Sequence, residues 1–336
     1  MSGRAEQDGV VLAVDIGGTH LRAGLVSADL SVSCFELTGS TALLEVEDPS
    51  QALVDFIDGY LGRVGADTVL EAVAVGFPAT VSRDRRTVLS TSNIKSMQNL
   101  AIADLLEADL GVPAFIDRDV NMLLRHDMRD LDVGQAGVVI GCYVGTGLGN
   151  AICIDGRILV GRHGVAGELG HIPVTGLPTV CGCGNRGCIE TIASGKAFAE
   201  LARTMFPGTP LDAVLVRHSD HPEVRNFIRN VAIAVATEVN ILDPEVVILG
   251  GGVVQARGFP THVLEADIRE LSRKPYPSQG IQFAYSRGGQ PAGVRGAGIY
   301  AWEGVRGGGG SPAVSRGYES VPQLRPEGVG QMRSAG

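Results

Sequence analysis

Apolar residues recur along this chain in short runs that end at small-residue turns. Residues 10–15 form an apolar, β-branched run, and a Gly-Gly-Thr turn separates them from a second run over 20–26. Two such runs joined by a tight glycine turn predict a β-hairpin. The same composition predicts three further strands, over 72–77, 112–116 and 246–249.

Between the predicted strands, apolar residues follow the helical period. Asp48 and Pro49 have the residue types of an N-cap and a first helical position, and Gly65 is expected to end the helix that they begin. The same spacing predicts a long helix over 224–239 and a shorter one over 99–109.

The pattern of the opening hairpin returns in the second half of the chain. A strand over 137–144, a glycine turn over 145–149 and a returning strand over 150–154 repeat it. Alternation of strands and helices is typical of α/β domains. We therefore predict two α/β domains of similar plan that face each other across a cleft.

The charge of the chain limits its partners. The 336 residues are 44% hydrophobic and carry a formal net charge of −9, which argues against a nucleic acid or an anionic membrane as partner. No apolar run approaches the roughly 20 residues of a membrane helix. The first nine residues lack the apolar stretch of a secretory signal. We expect a cytoplasmic protein.

Three glycine-rich turns follow predicted buried strands. Ligands bind at strand ends in open α/β sheets, where backbone amides form concavities for anions. Each turn alone fits a tight hairpin equally well, but the three together predict a cradle for nucleotide phosphates. Asp15 beside the first turn suits Mg²⁺, which few carboxylates hold together with phosphates and water. The candidate nucleotide-binding residues are Asp15, Gly17, Gly18, Thr19, Gly145, Thr146, Gly147, Gly250 and Gly251.

A cluster of cysteines is the strongest local signal in the sequence. Cys181, Cys183 and Cys188 fall within eight residues, and His171 lies ten residues before Cys181. Three thiolates and one imidazole suit a closed, tetrahedral, structural Zn²⁺ site. The other three cysteines lie in or near predicted strands and are expected to be core residues; they are Cys34, Cys142 and Cys153.

Acidic residues accompany these motifs. Asp117-Arg118-Asp119-Val120-Asn121 follows the predicted strand over 112–116, so that its polar groups lie at the strand's carboxyl end. One carboxylate there suits a general base toward a hydroxyl, although a solvated loop with a helix cap fits the pattern equally well. Glu168 and Glu190 are close in sequence to the predicted metal ligands, and rigidly held carboxylates would suit sugar hydroxyls.

Three segments resemble the signature sequences of the ROK family of sugar kinases. They are DIGGTHLRAGLV, GTGLGNAICIDGRILVGRHGVAGELGHIPV and CGCGNRGCIETIASG, and the resemblance covers about residues 10–303. It implies an α/β fold with an actin-like, ribonuclease H-like pair of domains and a cleft between them. It also implies ATP and a sugar as ligands, Mg²⁺ and a structural Zn²⁺.

The chain divides accordingly. We expect residues 10–121 to form a smaller α/β domain, completed by a returning helix near 293–303. Residues 122–292 are expected to form a larger α/β domain that carries the zinc-binding loop. Residues 1–9 and the glycine-rich segment 304–336 are expected to be disordered.

The resemblance also implies roles for individual residues. Asp119 matches the catalytic aspartate, which accepts the proton of the sugar's primary hydroxyl as that oxygen attacks the γ-phosphate. Glu168, His171 and Glu190 match ligands of sugar hydroxyls, and His171 would also bind zinc through its other ring nitrogen. Asn121 matches another position of the Asp119 motif, as a substrate contact or a structural residue.

Arg118 departs from the family's pattern. Most ROK glucokinases carry Asn-Asp-x-Asn where this chain has Arg-Asp-Val-Asn, and arginine only donates hydrogen bonds whereas asparagine also accepts them. That sequence, with the segments 76–79 and 81–87, resembles the D-allose kinases of the family. We therefore predict phosphorylation of the 6-hydroxyl of D-allose, the C3 epimer of glucose. Arg118 would read the inverted 3-hydroxyl directly or by reshaping the pocket.

Other functions stay open within this resemblance. A glucokinase, fructokinase or N-acetylhexosamine kinase would share these motifs, and a sugar sensor without catalysis would share the fold. A repressor of the family is disfavoured, because only nine residues precede the first predicted strand and the chain is acidic. The family's habit also implies a homo-oligomer, namely a dimer.

Overall fold

Two five-stranded sheets and one two-stranded sheet form the framework of the protein. The computed structural model describes residues 9–65, 68–91, 94, 96–134 and 137–308. The strands are β1 (Val10–Ile16), β2 (His20–Ser27), β3 (Val32–Gly39), β4 (Leu70–Phe77), β5 (Ala79–Val81), β6 (Val88–Thr91), β7 (Ala114–Arg118), β8 (Val138–Val144), β9 (Leu148–Ile154), β10 (Arg157–Ile158), β11 (Val246–Gly250) and β12 (Gln282–Tyr285). The helices are α1 (Ser40–Leu44), α2 (Pro49–Val64), α3 (Ile102–Leu110), α4 (Asp119–Asp130), α5 (Glu190–Ala193), α6 (Gly195–Met205), α7 (Leu211–His218), α8 (Pro222–Leu242), α9 (Thr261–Leu271) and α10 (Ala292–Arg306), and Leu169–His171 form a 3₁₀ turn.

The two large sheets have the same order of strands. The first runs β3-β2-β1-β4-β7 and the second runs β10-β9-β8-β11-β12. In each sheet the opening hairpin is antiparallel, and the strand that follows it along the chain, β3 or β10, adds to its outer edge in the antiparallel direction. A later strand, β4 or β11, pairs in parallel with the first strand of the hairpin, and β7 or β12 pairs in parallel with that later strand. This repeated order confirms the predicted α/β fold of the actin-like, ribonuclease H-like type.

The capping residues of α2 act as the sequence predicts. The Asp48 carboxylate accepts a hydrogen bond of 3.0 Å from the backbone amide of Gln51, and Pro49 is the first helical residue. Gly65 ends the helix with a φ of 105°, a conformation that glycine adopts without steric cost. The sequence therefore specifies both ends of this helix locally.

The helix predicted over 99–109 begins three residues later than expected. Asn99 has a left-handed φ of 53°, and the amide of Leu100 donates to the carbonyl oxygen of Val88 at 2.9 Å. The contact with β6 removes these residues from the helix, so that α3 starts at Ile102.

The strand predicted over 112–116 is β7, which is displaced by two residues. It pairs in parallel with β4, and Arg118 lies opposite Phe77 at the end of that ladder. Asp117 and Arg118 are therefore buried strand residues, and Asp119 begins α4. The alternative of a solvated loop is wrong, because pairing with β4 extends the strand to the acidic motif.

Helix α4 packs against both large sheets. Met122 lies in an apolar cluster with strands of the first sheet, whereas Leu124 and Met128 lie in a cluster with strands of the second. The predicted domain boundary after residue 121 therefore falls within one helix. The division of the chain into domains stays a prediction.

Helix α10 returns to the first sheet, as expected for a C-terminal helix. It packs on β1, β2 and β4, and the Trp302 indole donates to the carbonyl oxygen of Val26 at 3.2 Å. The helix continues to Arg306, whereas the sequence predicted that disorder begins at residue 304. The predicted boundary is therefore too early in the chain. A side chain on Gly304 would overlap the ring of Phe115, so this part of the helix packs closely on β7. Residues 1–8 and 309–336 lie outside the described part of the chain.

Two further expectations concern cysteines and membranes. Cys142 and Cys153 are buried as predicted, but Cys34 is exposed. Strand β3 lies at the edge of its sheet, and its pairing with β2 is irregular near Cys34.

Among the described residues, no helix is both long enough and apolar enough to cross a lipid bilayer.

Candidate active site

The turns of the two repeated hairpins lie side by side. The first turn joins β1 to β2 and the second joins β8 to β9. The hydroxyl oxygens of Thr19 and Thr146 are 3.3 Å apart, although 127 residues separate them in the sequence. The fold therefore brings the first two predicted nucleotide-binding turns to one place.

The third glycine run packs against the second turn. Gly250 ends β11, and Gly251 has a φ of 87°. A side chain on Gly251 would overlap the backbone of Val144, the residue just before the second turn. The amides of Gly195 and Lys196 at the start of α6 donate to the carbonyl oxygens of that turn. Close backbone packing therefore requires glycine at 251, and it places the three runs together.

Asp15 lies at the end of β1 beside the first turn. Its carboxylate is buried, and Arg22 Nη1 lies 3.3 Å from its Oδ2. Burial raises the pKa of Asp15, and the Arg22 charge opposes that effect. Gly293 of α10 faces this carboxylate so closely that a methyl group there would overlap it. Gln290 accepts a hydrogen bond of 2.8 Å from Arg22 Nε and thereby fixes the arginine.

Asp119 occupies the first position of α4 and keeps part of its surface accessible. Burial and the nearby Asp15 carboxylate raise its pKa to about 7, and the Arg118 charge opposes both effects. Its Oδ1 accepts a hydrogen bond of 2.8 Å from the amide of Val120. A carboxylate that titrates near neutral pH suits a general base.

Arg118 joins the end of β7 to a loop that follows β10. Its Nη1 donates to the carbonyl oxygen of Ala166 at 2.6 Å, and its Nη2 lies 2.8 Å from Glu168 Oε1. The other carboxylate oxygen of Glu168 lies 3.5 Å from His171 Nε2. Glu168 therefore links Arg118 to His171, and its side chain is 40% exposed.

The predicted metal ligands come together. One ligand atom each from His171, Cys181, Cys183 and Cys188 lies within 4.8 Å of the other three. Sγ of Cys181 is 3.6 Å from His171 Nδ1, and the Cys183 and Cys188 sulfurs are also 3.6 Å apart. Tetrahedral zinc–thiolate bonds of about 2.3 Å need ligand atoms at about this spacing. The donor set therefore fits a Zn²⁺ ion.

Two acidic residues contact members of this cluster. His171 directs Nδ1 toward the cysteines and Nε2 toward Glu168. Glu190 begins α5, and its Oε1 accepts from the Cys181 thiol at 3.0 Å. Its Oε2 lies where a side chain on Gly147 would point, which sets it beside the second turn. The cluster thus holds both candidate sugar ligands in place.

Asn121 packs against Asp117, near the end of β7. It is buried, and its Nδ2 donates to Asp117 Oδ1 at 2.7 Å. The same carboxylate oxygen accepts from the backbone amide of Arg118 at 2.8 Å. This geometry fits the structural alternative for Asn121, and a sugar contact by this residue stays a prediction.

Sequence reasoning missed several residues that support the site. Arg22 belongs to the first signature segment, but nothing in its spacing indicated a contact with Asp15. Gln290 and Gly293 are far from Asp15 in sequence, and only the packing of α10 on β1 brings them there. The buried contacts of Arg85 with the Asp117 carboxylate and the loop near Glu168 likewise had no local signal.

Comparison with known proteins agrees with this geometry. The profile of the ROK family matches residues 11–303. An N-acetylmannosamine kinase from Salmonella arizonae is 28% identical over 305 residues, which is 86% of this chain and 97% of that protein. An N-acetyl-D-glucosamine kinase from Photobacterium profundum is 30% identical over 303 residues, 84% of this chain and 96% of that one.

A solved structure extends the similarity to the fold. The crystal structure of a ROK family glucokinase from Streptomyces griseus, in complex with glucose and AMPPNP, superimposes with a TM-score of 0.73 at 28% identity. The match covers 88% of this chain and all of the glucokinase. Family profile, relatives and fold agree, and the chain belongs to the ROK family, the sugar kinase family that its motifs resemble.

Proposed function

We propose that the protein is an ATP-dependent kinase that phosphorylates the 6-hydroxyl of a hexose, with N-acetylhexosamines as its main substrate class. The position of Asp119 carries this proposal. Asp15, beside the paired turns, and the Arg118–Glu168 pair are all close enough to Asp119 for their charges to affect its pKa. A general base between a phosphate cradle and hydrogen-bonding carboxylates is the arrangement that phosphoryl transfer to a sugar needs.

In this mechanism Asp119 orients the 6-hydroxyl and takes its proton. The oxygen forms a bond to the γ-phosphorus while the bond from that phosphorus to the β,γ-bridging oxygen breaks, and ADP leaves. Mg²⁺, when bound, neutralises charge on the phosphates, and Asp15 is the carboxylate that would hold it. Glycine amides of the three turns would bind the phosphate oxygens.

The substrate side is built from Glu168, His171 and Glu190. Zn²⁺ held by His171 and the three cysteines would fix the imidazole's tautomer and ring orientation, so that Nε2 faces the sugar pocket beside Glu168. The two glutamates would accept hydrogen bonds from ring hydroxyls. This chain's contribution is therefore positioning and proton transfer, which suits a reaction governed by charge and alignment.

Two observations bear on which sugar is used. The N-acetylmannosamine and N-acetyl-D-glucosamine kinases match over almost their whole lengths, which favours an N-acetylhexosamine. D-Allose is the second candidate and depends on Arg118. Because Nη1 and Nη2 of Arg118 contact Ala166 and Glu168, Arg118 would act on the 3-hydroxyl by shaping the pocket through Glu168.

The test is a sugar panel at equal low concentrations. ADP release with Mg·ATP should be measured for N-acetylmannosamine, N-acetylglucosamine, glucose, fructose and D-allose, with kcat/KM reported for each. We expect an N-acetylhexosamine to exceed the others by about tenfold or more. A D-allose preference of that size would select the second candidate. Sugar binding without ADP release for every sugar would indicate a sensor and overturn the kinase.

Two further predictions stay open. The homo-oligomer implied by the family resemblance is tested by light scattering of the purified protein. The cytoplasmic location is tested by fractionation of cells that express the protein.

A further inference from the structure

Arg85 is buried in the turn between β5 and β6, where an arginine would ordinarily be exposed. Its φ is 59°, a left-handed conformation that is uncommon for residues other than glycine. The side chain is only 2% exposed. Nη1 donates to the carbonyl oxygen of Val81 at 3.2 Å and lies 3.5 Å from the carbonyl oxygen of Gly164. Arg85 therefore bridges its own hairpin to a distant loop.

The loop at Gly164 packs closely against the hairpin of β5 and β6. Gly164 has a φ of 82°, and a side chain there would overlap the carbonyl oxygen of Val81. Two residues further along, Ala166 accepts the hydrogen bond from Arg118, and Glu168 forms the ion pair with it. The segment 164–168 is thus held at its start by Arg85 and near its end by Arg118.

The second contact of Arg85 reaches the base of the catalytic motif. Its Nη2 lies 3.3 Å from Asp117 Oδ1, and both side chains are 2% exposed. Asp117 in turn accepts hydrogen bonds from the Arg118 amide and from Asn121. Removal of one partner of a buried ion pair leaves an uncompensated charge. Arg125 Nη2 also lies 3.9 Å from Asp117 Oδ2, so Arg85 is one of two arginines near this carboxylate, and Asp117 connects Arg85 to the end of β7, where Asp119 follows.

We propose that Arg85 is a positioning residue of the sugar site: it sets the distance between segment 164–168 and the end of β7. This inference rests on the proposed function. Glu168 lies in segment 164–168, and Asp119 directly follows the end of β7. The planar fork of arginine can contact a carboxylate and two carbonyl oxygens at once, whereas lysine presents a single point charge. Arg85 would act on sugar binding without touching the sugar.

The experiment compares two variants that loosen this connection in different ways. Arg85→Lys keeps the charge but loses the fork, and Gly164→Ala keeps Arg85 but forces the loop away from Val81. Arg86→Lys is the matched control, because the neighbouring Arg86 pairs with Asp104 and Glu107 on the outer side of the hairpin. Calorimetry gives Kd for the sugar and for ADP, and ADP release gives both KM values.

A displacement of a binding group by about 1 Å can cost up to about 100-fold. We expect both variants to raise the sugar KM and Kd by about 10- to 100-fold while nucleotide binding changes by less than about threefold. Arg86→Lys should change neither by more than about twofold. Unchanged sugar binding in the folded variants, or equal losses for sugar and nucleotide, would overturn the inference.

If Arg85→Lys does not fold, the sugar Kd of Gly164→Ala by itself tests the inference. The sugar Kd separates this inference from the proposed function, because binding does not need turnover. A wild type that binds sugar without turnover refutes the kinase only, whereas unchanged Kd values in the two variants refute only the role of Arg85.

Discussion

Arg118 Nη2 lies 2.8 Å from Glu168 Oε1, so the residue that departs from the family's motif is tied to a candidate sugar ligand. The arginine is almost fully buried, and its other terminal nitrogen holds the carbonyl oxygen of Ala166. A shorter side chain at 118 cannot make either contact. The ion pair therefore makes the position of Glu168 depend on the identity of residue 118.

Replacement of Arg118 should change the sugar preference. In Arg118→Asn the amide would reach the ring hydroxyls itself and Glu168 would be released. We expect kcat/KM for glucose to rise by about tenfold relative to the preferred sugar, because a polar contact to a sugar hydroxyl contributes about 1–2 kcal/mol. Arg118→Lys, which keeps the charge, is the control. The same sugar ratio in Arg118→Asn and wild type would refute this role.

The pH dependence should report Asp119. Its pKa of about 7 in the protein without ligands means that the base is protonated, and therefore inactive, below that pH. We expect kcat/KM for the sugar to fall about tenfold for each pH unit below about 6.5. Asp119→Asn should lower turnover by about 10² to 10⁴-fold at every pH. Near-normal turnover in that variant would exclude the mechanism.

The ionised Asp119 carboxylate should lower the free energy of unfolding. The folded protein keeps the Asp119 proton up to about pH 7, whereas the unfolded chain loses it near the ordinary pKa of 3.8. The folded state is therefore destabilised progressively as the pH rises between these values. Asp119→Asn should raise Tm by about 2–4 °C at about pH 8 and much less at about pH 4.

Asp109→Asn is the control for that measurement, since Asp109 is exposed on α3. As an exposed surface substitution it should change Tm much less at about pH 8 than Asp119→Asn does. A Tm of Asp119→Asn that equals the wild-type Tm at both pH values would show that the carboxylate is not destabilised by burial.

The cysteine cluster should contain one metal ion and support Glu190. Metal analysis after mild purification should find about one zinc per chain, and Cys181→Ser should lose it together with sugar binding. The reason is that Cys181 and Glu190 are in direct contact at 3.0 Å. Cys34→Ser, at an exposed cysteine outside the cluster, should change neither property. Less than about half a zinc per chain in active protein would contradict the site.

Gly293 should matter for nucleotide binding. A methyl group at this position of α10 would overlap the Asp15 carboxylate, which must then move. We expect Gly293→Ala to raise the KM for Mg·ATP by about tenfold or more, because a displaced ligand weakens a preorganised site. Gly62→Ala on α2, where no atom lies within 4 Å of the new methyl, is the control. An unchanged KM for Mg·ATP in Gly293→Ala would exclude this role for Asp15.

The sequence was sufficient to predict those features of this protein that depend on interactions between neighbouring residues. Residues close together in the chain specify strand β1 with its glycine turn, the caps of α2 and the spacing of the cysteines. The residue types in these segments were therefore enough to predict each feature. The repeated hairpin also predicted two similar sheets. Resemblance to the ROK family then supplied roles that composition and periodicity do not contain.

Contacts between residues that are distant in the chain follow from the packing of the whole fold. Pairing with β4 moved the end of β7 to Arg118, and this pairing buried Asp117. Packing of α10 on β1 brought Gly293 to Asp15, and the close fit of Gly164 on Val81 brought Arg85 to the loop that leads to Glu168. Such contacts depend on the summed packing of many residues, and no short stretch of sequence encodes them. The residue types proposed for catalysis were therefore recognisable in the sequence, but the residues that contact them from distant parts of the chain were not.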